Sequence, residues 1–162
     1  MKDEILKKQY TLTQKLTISG VVIAMYIVIM YLTQNFAFGQ YQVRIATSIY
    51  ALTAIFPFLI LPMGLSNMLS NILMGSLGLP DMIGGFFVGI LTSYAVYMIK
   101  KNNLNDWLIS IPIILFPGLI VPIWLSFLLK VPYYLLAISL TVGQIIPGIV
   151  GVILVKQLRN KI

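Results

Sequence analysis

The sequence contains no cysteine and no histidine, and only four acids in 162 residues. Without cysteine the chain forms no disulfide, thiol nucleophile or thiolate metal site. Without histidine it has no imidazole for acid–base chemistry, haem or zinc. The acids are Asp3, Glu4, Asp81 and Asp106, and only Asp81 falls near an apolar interior. An intramembrane hydrolase needs paired carboxylates, a metal site or an activated nucleophile, so an enzyme is hard to build from these residues. There is no nucleotide-binding loop either. No catalytic residue, metal or cofactor is expected.

Charge of any sign is scarce as well. Charged residues make up 9% of the chain, against about 25% in a typical soluble domain. Hydrophobic residues make up 59%, and the mean hydropathy is +0.97. A soluble fold of this length could not hide so much apolar surface, so the chain reads as an integral membrane protein. Its net charge of +7 does not form one basic patch. The basic residues sit at the ends and between apolar segments, where lipid phosphates account for them and nucleic acid is not expected as a partner.

The charges divide the sequence into apolar blocks, each to be compared with the roughly 20 residues needed to cross a bilayer. Leu16–Leu32 reads as a first span and not a signal peptide, because no small-residue cleavage site follows it. The block from Ile45 to Pro80 is too long for one helix, and "LPMG" at Leu61–Gly64 is expected to break it. The expected spans are residues 16–32, 45–61, 63–77, 82–99, 107–129 and 133–155, with a turn at Gly78–Asp81. Pro132 is expected to start the last span and Pro147 to kink it. The fold class is therefore an all-α membrane protein, a compact bundle of six transmembrane helices forming one domain over residues 1–162.

Six spans put both termini on one side. Lys2, Lys7, Lys8, Lys15, Lys100, Lys101, Lys156, Arg159 and Lys161 then share a face, opposed by Arg44 and Lys130 alone. By the positive-inside rule that face is cytoplasmic, with the chain in the plasma membrane. Arg44 and Asp81 fall at the outer ends of loops one and three, where opposite charges could meet.

Polar residues inside apolar segments are the candidate functional positions. In "FGQYQVRIATSIYALTAIFPFLILP" Arg44 is followed by no charge until Asp81. Arg44 has two readings: an interfacial anchor with Tyr41 and Tyr50 as belt aromatics, or part of a polar lid. The lid would be loop one, Thr33 to Val43, with Gln34, Asn35, Gln40 and Gln42 beside Phe36, Phe38 and Tyr41. Amides mixed with aromatic faces suit a flat heterocycle that stacks and hydrogen-bonds. In "MGLSNMLSNILMGSLGLPD" the pairs Ser66/Ser70 and Asn67/Asn71 each share a helical face. They are either helix–helix glue or a ligand-facing stripe ending at Asp81. Gln144, in "TVGQIIPGIVG", is likewise interhelical glue or a ligand contact. Gly20/Ala24 and Gly85/Gly89 are small-xxx-small pairs that let helices approach closely.

Taken together, six spans, the small pair in the first helix and the polar outer loop resemble the substrate-binding S-components of energy-coupling factor (ECF) vitamin transporters. Within that group the chain is most similar to the QueT family, linked to uptake of queuosine precursors. The likeness rests on Gln42-x-Arg44 and on Asn71, Asp81 and the glycines at 84–85. Two carboxylates of the family pattern are missing: Ala46-Thr47 stands where the family has Ser-Glu, and Gly143-Gln144 where it has Gly-Glu. The resemblance implies capture of a small planar heterocycle beneath loops one and three of a bacterial plasma-membrane protein. Handover would follow to a membrane coupling protein driven by two ATPase subunits. Gln40, Gln42, Arg44, Asn67, Asn71, Asp81 and Gln144 would bind the substrate, and Gly20 and Ala24 would face the coupling protein. The missing carboxylates favour a neutral deazapurine over an aminomethyl cation. The alternatives are an S-component for a pyridoxine- or pyrimidine-type vitamin, and a structural membrane subunit that carries no solute.

Overall fold

Thr11 opens the first helix through a reciprocal cap. Its hydroxyl accepts from the Gln14 backbone N–H at 3.3 Å, and the Gln14 side chain accepts from the Thr11 N–H at 3.0 Å. The computed structural model describes residues 10–39, 41–74 and 77–161. Helix α1 runs over Leu12–Leu32 and buries Val22, Tyr26 and Met30, four residues apart on one face. Gly20 and Ala24 lie on the exposed side, and a Cβ at Gly20 would meet nothing within 4 Å. Loop one follows, containing the single-turn helix α2 (Gln34–Ala37).

The centre of the bundle is a 3-10 helix over Ile45–Ala54, in which every residue from Ala46 to Ala54 is buried. Ten residues is long for this geometry, which rises about 2.0 Å per residue. Two threonines favour it locally: the Thr47 and Thr53 hydroxyls donate to the carbonyls of Arg44 and Tyr50, three residues back, at 2.7 Å each. The chain then breaks at Ile55–Phe56, turns through Pro57–Leu59 and enters α3 (Ile60–Leu73). The remaining helices are α4 (Leu79–Lys101), α5 (Ser110–Leu129, preceded by a 3-10 turn at Asp106–Ile109), α6 (Tyr133–Gly143) and α7 (Ile145–Arg159). Helices α1, α3, α4, α5 and α7 all touch the 3-10 helix. Glycine permits the closest approaches. A Cβ on Gly89 would stand 3.0 Å from Gly64 Cα, where α3 crosses α4, and one on Gly151 would stand 3.1 Å from the Ser48 carbonyl.

Among the described residues the chain is all-helical, with no strand. Four stretches are long and apolar enough to cross a membrane: Leu12–Leu32, Leu79–Lys101, Asp106–Leu129 and Tyr133–Arg159. Ile45–Ala54 and Pro57–Leu73, expected as full spans, are shorter apolar helices. The expected break at Leu61–Gly64 is also displaced. Pro62 sits in the first turn of α3, where its missing N–H has no helical acceptor to serve. The break lies before Pro57 instead, because proline holds Phe56 in an extended conformation (φ −120°, ψ 82°). The fourth span starts at Leu79, before the expected Met82, since Gly78 takes φ +100° and Pro80 fits the first turn. In the last span the interruption falls at Gln144, between α6 and α7, within one turn before Pro147.

At one end of the bundle Asp106 holds three segments together. It pairs with Lys100 of α4 at 2.7 Å and Arg159 of α7 at 2.9 Å, and Lys156 lies 4.3 Å over the neighbouring Trp107 ring.

Candidate functional site: a buried polar cluster behind loop one

Arg44 ends loop one and starts the 3-10 helix, and only 6% of its surface is exposed. A snorkelling anchor keeps its charged head in water, so this burial removes the anchor reading. The guanidinium Nη1 donates to Asn67 Oδ1 at 3.3 Å, and the Phe38 ring lies over it with Cζ 5.1 Å from the centroid. Among the described residues no carboxylate forms an ion pair with Arg44. The expected pairing with Asp81 is therefore not made.

From Asn67 a chain of hydrogen bonds runs inward. Its amide donates to the Tyr50 hydroxyl at 2.8 Å, and that hydroxyl lies 3.1 Å from the Tyr26 hydroxyl of α1. The two phenol rings stack with centroids 5.8 Å apart. Tyr50, expected at the membrane belt, is fully buried, because the 3-10 helix that carries it is the innermost element.

The stripe on α3 divides in two. Ser66 and Ser70 donate to carbonyls of their own helix, Pro62 and Asn67, at 2.8 Å each, and are satisfied there. Asn67 and Asn71 face α4, where Gly85 leaves room for them: a Cβ there would stand 2.8 Å from Asn71 Nδ2 and 3.0 Å from Asn67 Oδ1. Asn71 donates to the Asp81 carbonyl at 3.0 Å. The Asp81 carboxylate, in the first turn of α4, accepts from Trp124 Nε1 at 3.1 Å. A helix N-terminus favours negative charge, and among the described residues this acid is held without a cationic partner.

Gln144 lies in the break between α6 and α7. Its amide donates to the Gln42 carbonyl at 3.1 Å, and its oxygen lies 2.8 Å from the Thr47 hydroxyl. Gln144 thus ties loop one to the central helix. Gln42 itself takes φ 43°, a left-handed conformation uncommon for a side-chain-bearing residue. Gln40 lies outside the described residues.

Among the described residues the cluster's hydrogen bonding does not close. Arg44 Nε and Asn71 Oδ1 are buried without a partner. The single Thr47 proton faces two acceptors, the Arg44 carbonyl and Gln144 Oε1. An idle donor and an idle acceptor in a dry interior each carry a desolvation penalty until a polar partner answers them.

Beside loop one lies an open cleft of about 950 Å³. Gln34, Asn35, Phe38, Tyr41 and Gln42 of loop one form one wall, and Met74, Leu77, Leu129, Val131 and residues of α6 form the others. Of the expected binding residues that are described, only Gln42 lines this cleft. Arg44, Asn67, Asn71, Asp81 and Gln144 are each 3% exposed or less, Arg44 at 6% excepted, and gather in the interior behind it. Thr47, Tyr26, Tyr50 and Trp124 complete that interior set. None of the four stands out by residue type, and only the buried spacing of Tyr26 with Val22 and Met30 hinted at its place.

No curated protein and no solved structure matches the chain. A family model does, that of the QueT transporter, over residues 16–160. This stretch takes in most of α1, loop one, the central 3-10 helix and every residue of the buried cluster, so the chain belongs to the QueT transporter family.

Proposed function

We propose that this transporter-family chain is the substrate-capture subunit of an ECF-type importer, working without an ATPase of its own. One observation supports the reading: a buried arginine with no carboxylate partner among the described residues, in a polar cluster with an idle donor and an idle acceptor, packed against loop one. The cluster fits a small planar heterocycle that offers an acceptor to Arg44 Nε and a donor to Asn71 Oδ1. In this reading Asn67, Asp81 and Gln144 would frame the ligand, and loop one with Gln40 and Gln42 would close over it. Asp81 is engaged by Trp124, and Ala46-Thr47 and Gln144 put no acid where the family pattern has one. Arg44 already places a positive charge without an ion-pair partner in this cluster, so a cationic ligand would set a second beside it, and an unpaired buried charge costs several kcal/mol by order of magnitude. A neutral deazapurine is the best fit.

In this reading the chain crosses the plasma membrane six times, the two shorter helices completing the count, with nine basic residues on the cytoplasmic face. Gly20 and Ala24, outward on α1, offer a flat face to the coupling protein, and ATP is spent by that partner's two ATPase subunits.

Two measurements test this. Co-purification with the coupling module, followed by mass spectrometry of released small molecules, should yield a deazapurine. Calorimetry should show the nitrile-bearing base binding more tightly than the aminomethyl base. Tighter binding of the aminomethyl form refutes the neutral ligand, and no coupling partner together with no ligand-dependent stabilisation refutes the capture subunit.

A further inference from the structure

The geometry points to the open cleft being an antechamber to the buried polar cluster, with the Phe38 ring as the door between them. Three elements pass from one compartment to the other within a turn. On α3, Met74 lines the cleft and Asn71, three residues earlier, is fully buried. On the last span Leu140 lines the cleft and Gln144, four residues later, is buried. In loop one the same step runs from Gln42 to Arg44. Phe38 stands at the junction: it lines the cleft, and its ring also covers the Arg44 guanidinium at 5.1 Å. Behind that guanidinium come Asn67 and Tyr50 in sequence.

Phe38 is well placed to move. It follows the one-turn helix α2, is 36% exposed, and precedes Gly39 and the left-handed Gln42. With its ring swung aside, the idle Arg44 Nε would open onto the cleft. The antechamber takes a planar ring, stacked on the Phe38 face and bonded by the amides of Gln34 and Asn35. The guanidinium polarises the ring from behind, which favours an electron-rich heterocycle. The identity of that ring rests on the substrate reading above. The door does not.

The cysteine-free chain allows a test that needs no ligand. Single-cysteine variants are labelled with a water-soluble thiol reagent: Asn35→Cys in the cleft, Asn71→Cys and Thr47→Cys in the cluster, and Ser93→Cys as a buried control elsewhere. Asn35→Cys should label rapidly and the buried positions slowly. Adding Phe38→Ala should speed labelling of Asn71→Cys and Thr47→Cys by about tenfold, the population change expected on losing a partly desolvated cation–ring contact. Ser93→Cys should not change, and Phe38→Tyr should behave as the parent. The door is overturned if Phe38→Ala leaves both cluster positions slow, or speeds Ser93→Cys equally. In a second arm the nitrile-bearing deazaguanine should slow labelling of Asn35→Cys even when Asn67→Ala disables the cluster. Protection lost with Asn67→Ala would refute a separate antechamber. No protection in any variant, with the door result intact, would refute the deazapurine reading alone.

Discussion

The carbonyl oxygen of Tyr41 lies where a Cβ on Gly143 would have to be. Loop one is therefore seated on the backbone of the last span at the point where α6 gives way to α7. The adjacent residue, Gln144, fastens it by donating to the Gln42 carbonyl. Contact and latch are neighbours in sequence, so closure of the loop and the break in the helix are one structural unit. Substitutions at Gly143 and Gln144 should act on the loop, although both residues belong to the far end of the chain.

Gly143→Ala should lift loop one. Overpacking of this kind typically costs about 1–3 kcal/mol. A flexible side chain could yield, but the group in the way is backbone. Thermal unfolding in detergent should move to lower temperature, and proteolysis within residues 33–43 should accelerate. An unchanged cleavage rate would mean that the loop is not seated there.

The tyrosine pair sets a rank order. Tyr26→Phe removes one hydroxyl and leaves Tyr50 still accepting from Asn67, so it should cost about 1 kcal/mol. Tyr50→Phe strands both the Asn67 amide and the Tyr26 hydroxyl, and each buried orphan costs about 1–3 kcal/mol. Denaturation midpoints should place Tyr50→Phe clearly below Tyr26→Phe. Equal midpoints would show that the chain from Arg44 to Tyr26 is not continuous.

Much of the cluster could be read from the sequence because polarity inside an apolar run is conspicuous. Arg44, Asn67, Asn71, Asp81 and Gln144 are the strongest such departures, and they do meet or neighbour one another in the interior. Tyr26, Tyr50, Thr47 and Trp124 could not be read, since amphipathic residues in membrane helices are as often belt or packing groups. The break in the second apolar block had two candidate prolines. Pro62 was the more visible within "LPMG", yet only Pro57 removes an N–H that a continuing helix would need. The 3-10 helix Ile45–Ala54 could not be read, because burial on all sides leaves no amphipathic period. Arg44 and Asp81 are opposite charges at loop ends, but each has another partner, Asn67 for Arg44 and for Asp81 Trp124, 43 residues further on.

Asp106→Asn should loosen the opposite end of the bundle. It removes the counter-charge of Lys100 and Arg159, which tie α4 and α7 to the start of α5. Pairs that are mostly but not wholly shielded from water are worth about 1 kcal/mol, and salt screens them. The stability difference from the parent should be largest at low ionic strength and shrink in high salt. A difference that does not respond to salt would point to packing around Trp107 instead.

Gln144→Glu puts the acid that the resemblance to the family implies at a position that holds a neutral latch. The carboxylate cannot donate to the Gln42 carbonyl, so loop one loses its fastening to the last span. It also places a negative charge near Thr47, on the side of the cluster where Arg44 has no acidic partner. Two effects should follow together. The empty protein should be less stable, because a buried carboxylate facing a carbonyl oxygen is left unpaired. A cationic aminomethyl base should gain affinity relative to the neutral nitrile base, since it can now pair with that charge. A buried charge pair with good geometry can shift relative affinity by about tenfold or more. Calorimetry on both bases with the parent and Gln144→Glu gives the four affinities required. A preference that stays unchanged would mean that Gln144 acts on the loop alone and does not contact the ligand.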